Sequence, residues 1–410
     1  MKNKIIIFLI LTMVLLTGCI RTPNKTDVID NTEKSNIVHV TKPGGATQVY
    51  GCSFGAYYLS TQNSAIKFWD KNSNISTILC NRPECRHIDD TCTAFAPSSN
   101  YQLFMNPEEN KLFLTYTKDE LSDRGWPIFY IEAMDINGDN RQVIYKITDG
   151  DFYRDFAFCE DSMYFITRKF DNENKAYYFN LIELNYLTGE IKILDKFDNS
   201  RNIIAAFDNY LILEYDNGSL SHADNTIFKY DIISKEETSL YNYTANGNIS
   251  SNVAYAKNNY LYIFEPTSEN KAKLYEVDIT SNNERLINDN VSFFGLHTGV
   301  SNPAIILEDY LIISSMLPPT NGAIFPYTET YLIDLKSGEE IFINLKNTEE
   351  FIPLYEISDS LVLYIGSERT TISISNLDGT ETYLNALMPQ HAIINKSDYI
   401  ASNKNLTILQ

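Results

Sequence analysis

The sequence predicts an all-β fold made of one unit repeated around a ring. Three observations predict it. One phrase recurs, a polar turn followed at once by an aliphatic and aromatic strand, as in Asp208-Asn209-Tyr210-Leu211-Ile212-Leu213. Its relatives begin at Asn110, Asp161, Asn258, Glu308 and Asp359, so the spacings run 51, 47, 50, 50 and 51 residues. The chain is also rich in Tyr, Phe and Ile, which suit pleated, half-buried strands. No stretch sustains the apolar period of a helix. A fixed period near 50 residues that carries strands is the signature of a β-propeller, each repeat being a four-stranded antiparallel blade that runs from inner strand A to outer strand D.

Each blade can be placed in turn. The first spans "QVYGCSFGAYYLSTQNSAIKFWDKNSNISTILC" and includes the phrase from Gly55 to Leu59. The second starts at Tyr101 and has its hairpin at Asn137-Gly138, a pair suited to positive φ. The third has its hairpin at Thr188-Gly189; the fourth runs over 202–243 and the fifth over 251–287. The sixth covers 303–345 with a hairpin at Ser337-Gly338, and the seventh 351–387 with one at Asp378-Gly379. The remainder, "AIINKSDYIASNKNLTILQ", supplies three strands, with Ser397-Asp398-Tyr399-Ile400 as a weak copy of the phrase. An open seam would leave a long unpaired edge. The expectation is therefore that Ile37 to Val40 provides the missing strand and pairs the two termini. That closure gives eight blades; seven is the alternative, with the last strands folded elsewhere.

The N-terminus bears on the compartment. Lys2 and Lys4 precede an apolar run from Ile5 to Leu16, a charged n-region and short h-region. The run falls short of the ~20 residues of a membrane span. It ends in Leu16-Thr17-Gly18-Cys19, which resembles the lipobox of bacterial lipoproteins. The resemblance implies a diacylglycerol thioether on the Cys19 sulfur, cleavage before Cys19 and acylation of the new amino terminus by palmitate or a similar chain. Residues 1–18 would then be a signal peptide, 19–35 a flexible polar tether and 36–410 the propeller, held on the cell membrane and facing outward. Two or three acyl chains anchor a protein stably where one does not. The competing reading is an ordinary secretory signal with an incidental cysteine.

The formal charge is −20, and loss of Lys2 and Lys4 takes 33 basic residues to 31 against 53 acidic ones, or −22. So acidic a surface is repelled by nucleic acid and by anionic lipid, which excludes both as partners of the propeller itself.

One dense chemical constellation stands out. "CNRPECRHIDDTC" places Cys80, Cys85, His87 and Cys92 within 13 residues. Three thiols and an imidazole can make a tetrahedral zinc site. His87-x4-Cys92 has the spacing of a zinc knuckle, but Cys80-x4-Cys85 is two residues too long. Asp89 and Asp90 are candidate partners for the His87 ring. The rival is a disulfide among these cysteines, as expected of an exported domain; unpaired thiols are a third possibility. Cys52 and Cys159 precede A-to-B turns and read as small core residues.

The segment also resembles one in a group of propeller-like lipoproteins from anaerobic monoderm bacteria, which carry Cys-x-x-Pro-x-Cys-x-His…Cys after the first blade. The matching residues are Cys80, Pro83, Cys85, His87 and Cys92. With the lipobox and repeats the resemblance covers nearly the whole chain, and it implies no activity.

Other chemistry is faint. Asp135-x-Asn137-Gly138-Asp139 lacks the Gly and Glu positions of an EF-hand. His39, His222, His297 and His391 are isolated, and nucleophile-elbow and P-loop motifs are absent. The B-to-C and D-to-A loops share one face, which would collect Trp126, Phe170, His222 and Phe325 as candidate ligand contacts; packing over the blade below is the competing account. The expected function is a surface-anchored, non-enzymatic binding or scaffold module for an extracellular glycan, peptide or protein. The alternatives are a propeller enzyme acting on polysaccharide or peptide, and a metal-handling or redox role for the Cys/His loop.

Overall fold

The chain divides into two units, Met1–Glu33 and Lys34–Gln410. The computed structural model describes, within the second, Ile37, Val38 and residues 49–409 apart from 61–64, 88, 97–100, 107, 123–124, 126, 149, 153–155, 208, 217–221, 247–253, 269–270, 293–303, 308, 318–326, 344, 346–350 and 376–380. The expected signal peptide and tether, Cys19 among them, lie outside the described residues.

The described residues form a β-propeller of seven blades, not eight. The sheets follow chain order. Blade one is Val49–Cys52, Gly55–Ser60, Ala65–Asp70 and Ile75–Ile78; blade two is Gln102–Met105, Lys111–Leu121, Pro127–Asp135 and Gln142–Ile147. Blade three is Phe156–Cys159, Ser162–Asp171, Ala176–Asn185 and Ile191–Phe197; blade four is Ser200–Phe207, Tyr210–Asp216, His222–Asp231 and Glu237–Asn246. Blade five is Ala254–Lys257, Tyr260–Ser268, Lys271–Asp278 and Glu284–Ser292; blade six is Ala304–Ile306, Tyr310–Leu317, Tyr327–Asp334 and Glu340–Ile343. Blade seven is Ile352–Ile357, Ser360–Ser375, Glu381–Asn395 and Leu406–Leu409. The repeated phrase is the A-to-B turn plus strand B, which is why it recurs with the period of the blade.

The eighth blade disappears because blade seven is longer than its neighbours. Its strands B and C run 16 and 15 residues. The Asp378-Gly379 turn therefore falls in the B-to-C connection, in 376–380 outside the described residues, and not between C and D. The residues expected to start an eighth blade are the end of strand C and strand D of the seventh. The weak phrase copy is a helix, Lys396–Ile400, because Asn395 caps it: its Oδ1 accepts from Ser397 N at 2.9 Å. Tyr399 on that turn is fully buried.

Beyond Tyr364 the long B–C hairpin of blade seven leaves the sheet. Its inner neighbour pairs only as far as Tyr364, and its outer neighbour only with His391 to Ile394. From Ser367↔Pro389 to Ser375↔Glu381 the two strands pair with each other alone. A register shift after Tyr364, with Gly366 at φ +108°, marks where this arm departs.

Closure also differs from expectation. Ile37–Val38 does not join the C-terminal strands. It pairs antiparallel with strand A of blade three, Ile37 opposite Ala157 and Val38 opposite Phe156. The seam between blades one and seven is closed by packing. Val49, Ala56, Tyr58 and Trp69 share a core with Ile352, Leu354, Ile357 and Val362. Tyr50 lies 4.8 Å from Tyr355 between ring centroids, and Lys71 pairs with Asp359 at 2.7 Å. Burying these faces against each other meets the need that strand exchange was expected to meet. Gly51 sits at the closest approach: a Cβ there would lie 2.8 Å from Tyr355 Cβ and 3.0 Å from Ile357 Cγ1. Gly51→Ala should cost ~1–3 kcal/mol by overpacking the seam, read as a lowered urea midpoint; an unchanged midpoint would show the seam to be loose.

The core lies between blades. Phe104, Phe113, Phe156, Phe158 and Phe165 fill the space between blades two and three, with Phe104 and Phe156 stacked at 4.8 Å. The inner strand Phe156–Cys159 of blade three is buried throughout, whereas the outer strand Ile75–Ile78 of blade one is mostly exposed. The C-to-D hairpins of blades four, five and six share one device. Asp231, Asp278 and Asp334 each accept the backbone N–H groups two and three residues on, at 2.7–3.0 Å. Those N–H groups, led by that of Ser234, Ser281 or Ser337, lower each carboxyl pKa. The next position is left-handed: Lys235 at φ +61°, Asn282 at +57° and Gly338 at +76°. Lys235 is the poorest fit, so Lys235→Gly should stabilise by ~0.5–1 kcal/mol, measured as a raised melting temperature.

Candidate metal centre

The Cys80 to Cys92 segment is an excursion from the outer strand of blade one. That strand stops at Ile78. Leu79 N still reaches Ile66 O at 2.9 Å, and the chain then leaves the sheet. It returns at Ala94 and Phe95, where Ile66 N donates to Ala94 O at 2.7 Å and Phe95 bridges Ala65. The excursion thus begins and ends beside Ile66 of strand C, on the outer edge of blade one.

Two turns fold it. Cys85 N donates to Arg82 O at 3.1 Å, with Pro83 at the second turn position, and Cys92 N donates to Asp89 O at 3.0 Å. Between them His87 adopts φ +58°, a conformation that histidine tolerates better than most residues. It sets His87 Nδ1 3.2 Å from Cys92 Sγ. The extra residues between Cys80 and Cys85, which broke the knuckle spacing, are absorbed by the Arg82–Cys85 turn.

The result is one cluster. The ligand atoms of Cys80, Cys85, His87 and Cys92 all lie within 4.8 Å of one another. Zn–S bonds of ~2.3 Å in a tetrahedron put donor atoms about 3.7 Å apart, so a contraction of about 1 Å seats an ion. Cys80, Cys85 and Cys92 are free thiols, with no disulfide among them. This cluster of three cysteines and one histidine could hold a metal ion such as zinc. Cys92 is buried and the other three are half-buried; Cys85 and His87 line an open depression with Arg82, Glu84, Arg86, Asp89 and Thr91.

The electrostatics favour a thiolate at Cys80 and oppose one at Cys92. Burial opposes ionisation of Cys80, but N–H groups of the Arg82 backbone and guanidinium, helped by Cys92 and Cys85, outweigh it and lower its pKa. At Cys92 burial dominates and, with Cys85 and Cys80 close by, pushes the thiol up to about 11 although Ala94 N–H works the other way. Arg82 Nη2 lies 3.7 Å from Cys85 Sγ and also donates to Thr91 O. Asp89 Oδ1 accepts from Thr91 N and Oγ1 at 3.0 and 2.6 Å, so it stabilises the second turn instead of facing the imidazole.

A clamp that no sequence signal marked holds the returning strand. Arg141 Nη1 donates to Thr93 O and Phe95 O at 2.9 and 2.7 Å, and its Nε to Glu132 Oε2 at 2.7 Å. Tyr116 OH completes the carboxylate at 2.6 Å. Asn81 Nδ2 reaches Asp139 of the same blade-two hairpin at 3.3 Å.

The other expected positions are described only in part. Trp126 and Phe325 lie outside the described residues. Phe170 packs edge-on against Tyr177 of the paired strand at 5.1 Å, which supports the packing account. His222 starts strand C of blade four, opposite Asn246. Cys52 and Cys159 are buried at the ends of inner strands. The second buried carboxylate, Glu214, accepts from Asn202 Nδ2 at 2.8 Å and from Tyr243 OH.

No protein-family model and no curated protein matches the sequence. Solved structures do. A puromycin hydrolase S511A mutant complexed with PGG superposes with a TM-score of 0.50 at 10% identity, over 86% of this chain and 59% of that one. Oligogalacturonate lyase from Vibrio parahaemolyticus gives 0.49 at 10% identity, over 80% and 87%. An oligogalacturonate lyase in complex with manganese gives 0.46 at 11%, over 87% and 98%. At such identities the likeness shows the propeller fold alone.

Proposed function

We propose that this protein is a lipid-anchored propeller on the outer face of the cell membrane that works as a binding or scaffold module for an extracellular protein or glycan. The observation that carries the reading is the arm of blade seven. A two-stranded ribbon standing alone in water is marginally stable, and this one extends from Ser367↔Pro389 to Ser375↔Glu381 with no third strand among the described residues. It leaves the ring at the B-to-C side, where the loop-rich face was expected. Such a projection gains its order by docking. The lipobox supports the location, and the two buried carboxylates Glu132 and Glu214, both already hydrogen-bonded, offer no poised acid–base pair.

The cofactor in this reading is zinc. Thiolate and imidazole donors suit it, and four protein donors leave no open coordination position, which marks a structural centre and not a catalytic one. Three thiolates, one neutral imidazole and Zn²⁺ leave one negative charge, facing Arg82 and Arg86.

The test replaces residues 367–389 with an Asn-Gly turn. Surface crosslinking on cells should capture a ligand with the parent chain and not with the armless one, both having the same melting temperature. Equal capture would remove the arm from the reading. Turnover on a glycan or peptide panel, abolished by Glu214→Gln, would replace the module with an enzyme. Separately, Cys19→Ala should eliminate incorporation of labelled palmitate and shift the protein from membrane to medium; a labelled or membrane-bound variant would refute the anchor.

A further inference from the structure

Resting on the zinc reading, we infer that the metal centre locks the seam of the ring. Two independent observations meet in blade one. On one side it faces blade seven, the far end of the chain, and among the described residues the two are joined by packing and the Lys71–Asp359 ion pair, with no shared strand. Blade one is therefore the place where the ring can open.

On its other side, blade one is joined to blade two by the longest connection between blades. From Ile78 to Gln102 there are 23 intervening residues (102 − 78 − 1), against 11 from Ser292 to Ala304 (304 − 292 − 1) and 2 from Phe197 to Ser200 (200 − 197 − 1). A long connection restrains its ends less than a short one. The Cys/His cluster sits inside it. An ion bound there ties Cys80, where the chain leaves the sheet, to Cys92, just before it returns. The 23-residue connection then behaves as a short one.

The tie also reaches the neighbouring blade. Thr93, next to Cys92, and Phe95 are held by Arg141 of blade two. Cys92 itself packs in the core shared by blades one and two, with Leu79, Tyr101, Leu103 and Met134. The far side of blade one, with Tyr58, Trp69 and Val49, forms the seam core. A blade fixed to blade two presents that face to blade seven; a loosened blade does not. The metal thus supplies from within one blade the constraint that strand exchange between the termini would supply.

The experiment uses the full chain in detergent, purified without added metal. Elemental analysis comes first, then hydrogen exchange read by mass spectrometry before and after chelation, and again after zinc is restored. Removal of zinc should speed exchange at least about tenfold in Gly55–Ile78 and in the seam strand Ile352–Ile357, leave blades three to five unchanged, and reverse on reloading. Faster exchange confined to 80–93, or spread evenly over all seven blades, overturns the seam lock while leaving zinc in place. A chain that carries no metal overturns the zinc reading and the lock with it. If the chelated chain precipitates, Cys85→Ser, which keeps three donors, carries the same comparison at limiting zinc, with the same two patterns deciding.

Discussion

Cys92→Ser is expected to abolish stoichiometric zinc and to lower stability by at least ~3 kcal/mol, the range reached when a structural metal is lost. Cys92 is the natural target because it is the buried donor, 2% exposed, and the one within 3.2 Å of the imidazole. Burial complicates the result, since a hydroxyl in that core costs something without any metal. Two controls separate the effects. Cys52→Ser alters an equally buried thiol outside the cluster, whose Sγ donates to Gly55 O at 3.3 Å; it should cost ~1–2 kcal/mol and leave zinc at one per chain. Chelation of the parent should bring its melting temperature most of the way to that of Cys92→Ser. If chelation changes nothing and Cys92→Ser behaves like Cys52→Ser, the cluster holds no structural ion.

The ring was legible because its signal is local and repeated. A polar turn followed by an apolar strand is what an A-to-B hairpin and a buried strand B require, and each blade requires it again. Blade number was misread for a physical reason. Asp378-Gly379 announces a tight hairpin, and nothing in the dipeptide says whether it joins B to C or C to D. Some C-to-D hairpins carry a phrase of their own, Asp with Ser three residues on, as at Asp231, Asp278 and Asp334, but those of blades two and three, at Asp135 and Asn185, lack it. Its absence around Asp378-Gly379 is therefore no guide to which strands that turn joins. Ser397-Asp398-Tyr399-Ile400 misled in a similar way, since polar-then-apolar describes a capped helical turn as well as a turn and strand, and Asn395 decides between them.

The metal cluster was legible as composition and illegible as geometry. Cys80, Cys85, His87 and Cys92 announce themselves by density, but the odd spacing counted against a knuckle. What rescues it is one backbone angle, the positive φ of His87, and a turn at Arg82-Pro83, neither of which the ligand spacing encodes. The outward path of the excursion was invisible too, because the residues that resume the sheet, Ala94 and Phe95, look like any loop apolar pair. Arg141 had no signal at all: its partners are main-chain carbonyls 46 and 48 positions away, and main-chain acceptors leave no trace in side-chain pattern.

Arg141→Ala should therefore be the most damaging substitution outside the donor set. The Arg141 and Glu132 side chains are 13% and 12% exposed, and the pair is 2.7 Å apart. Removing one member of so buried a pair leaves the other desolvated and costs ~3–5 kcal/mol, well above an exposed pair's ~0–1. Glu132 would keep only Tyr116 OH, and the carbonyls of Thr93 and Phe95 would lose their donor. The double variant Arg141→Ala with Glu132→Gln should recover part of the loss, because a neutral amide tolerates burial better than an unpaired carboxylate. Arg141→Lys should recover little, since one ammonium cannot span a carboxylate and two carbonyls as the guanidinium fork does. The zinc reading adds a second readout. Thr93 adjoins Cys92, so freeing it should weaken zinc binding about tenfold, in the manner of other groups that orient metal ligands. A variant with lowered stability and unchanged zinc affinity would make Arg141 a fold residue alone, and one unchanged in both would show that the returning strand needs no clamp.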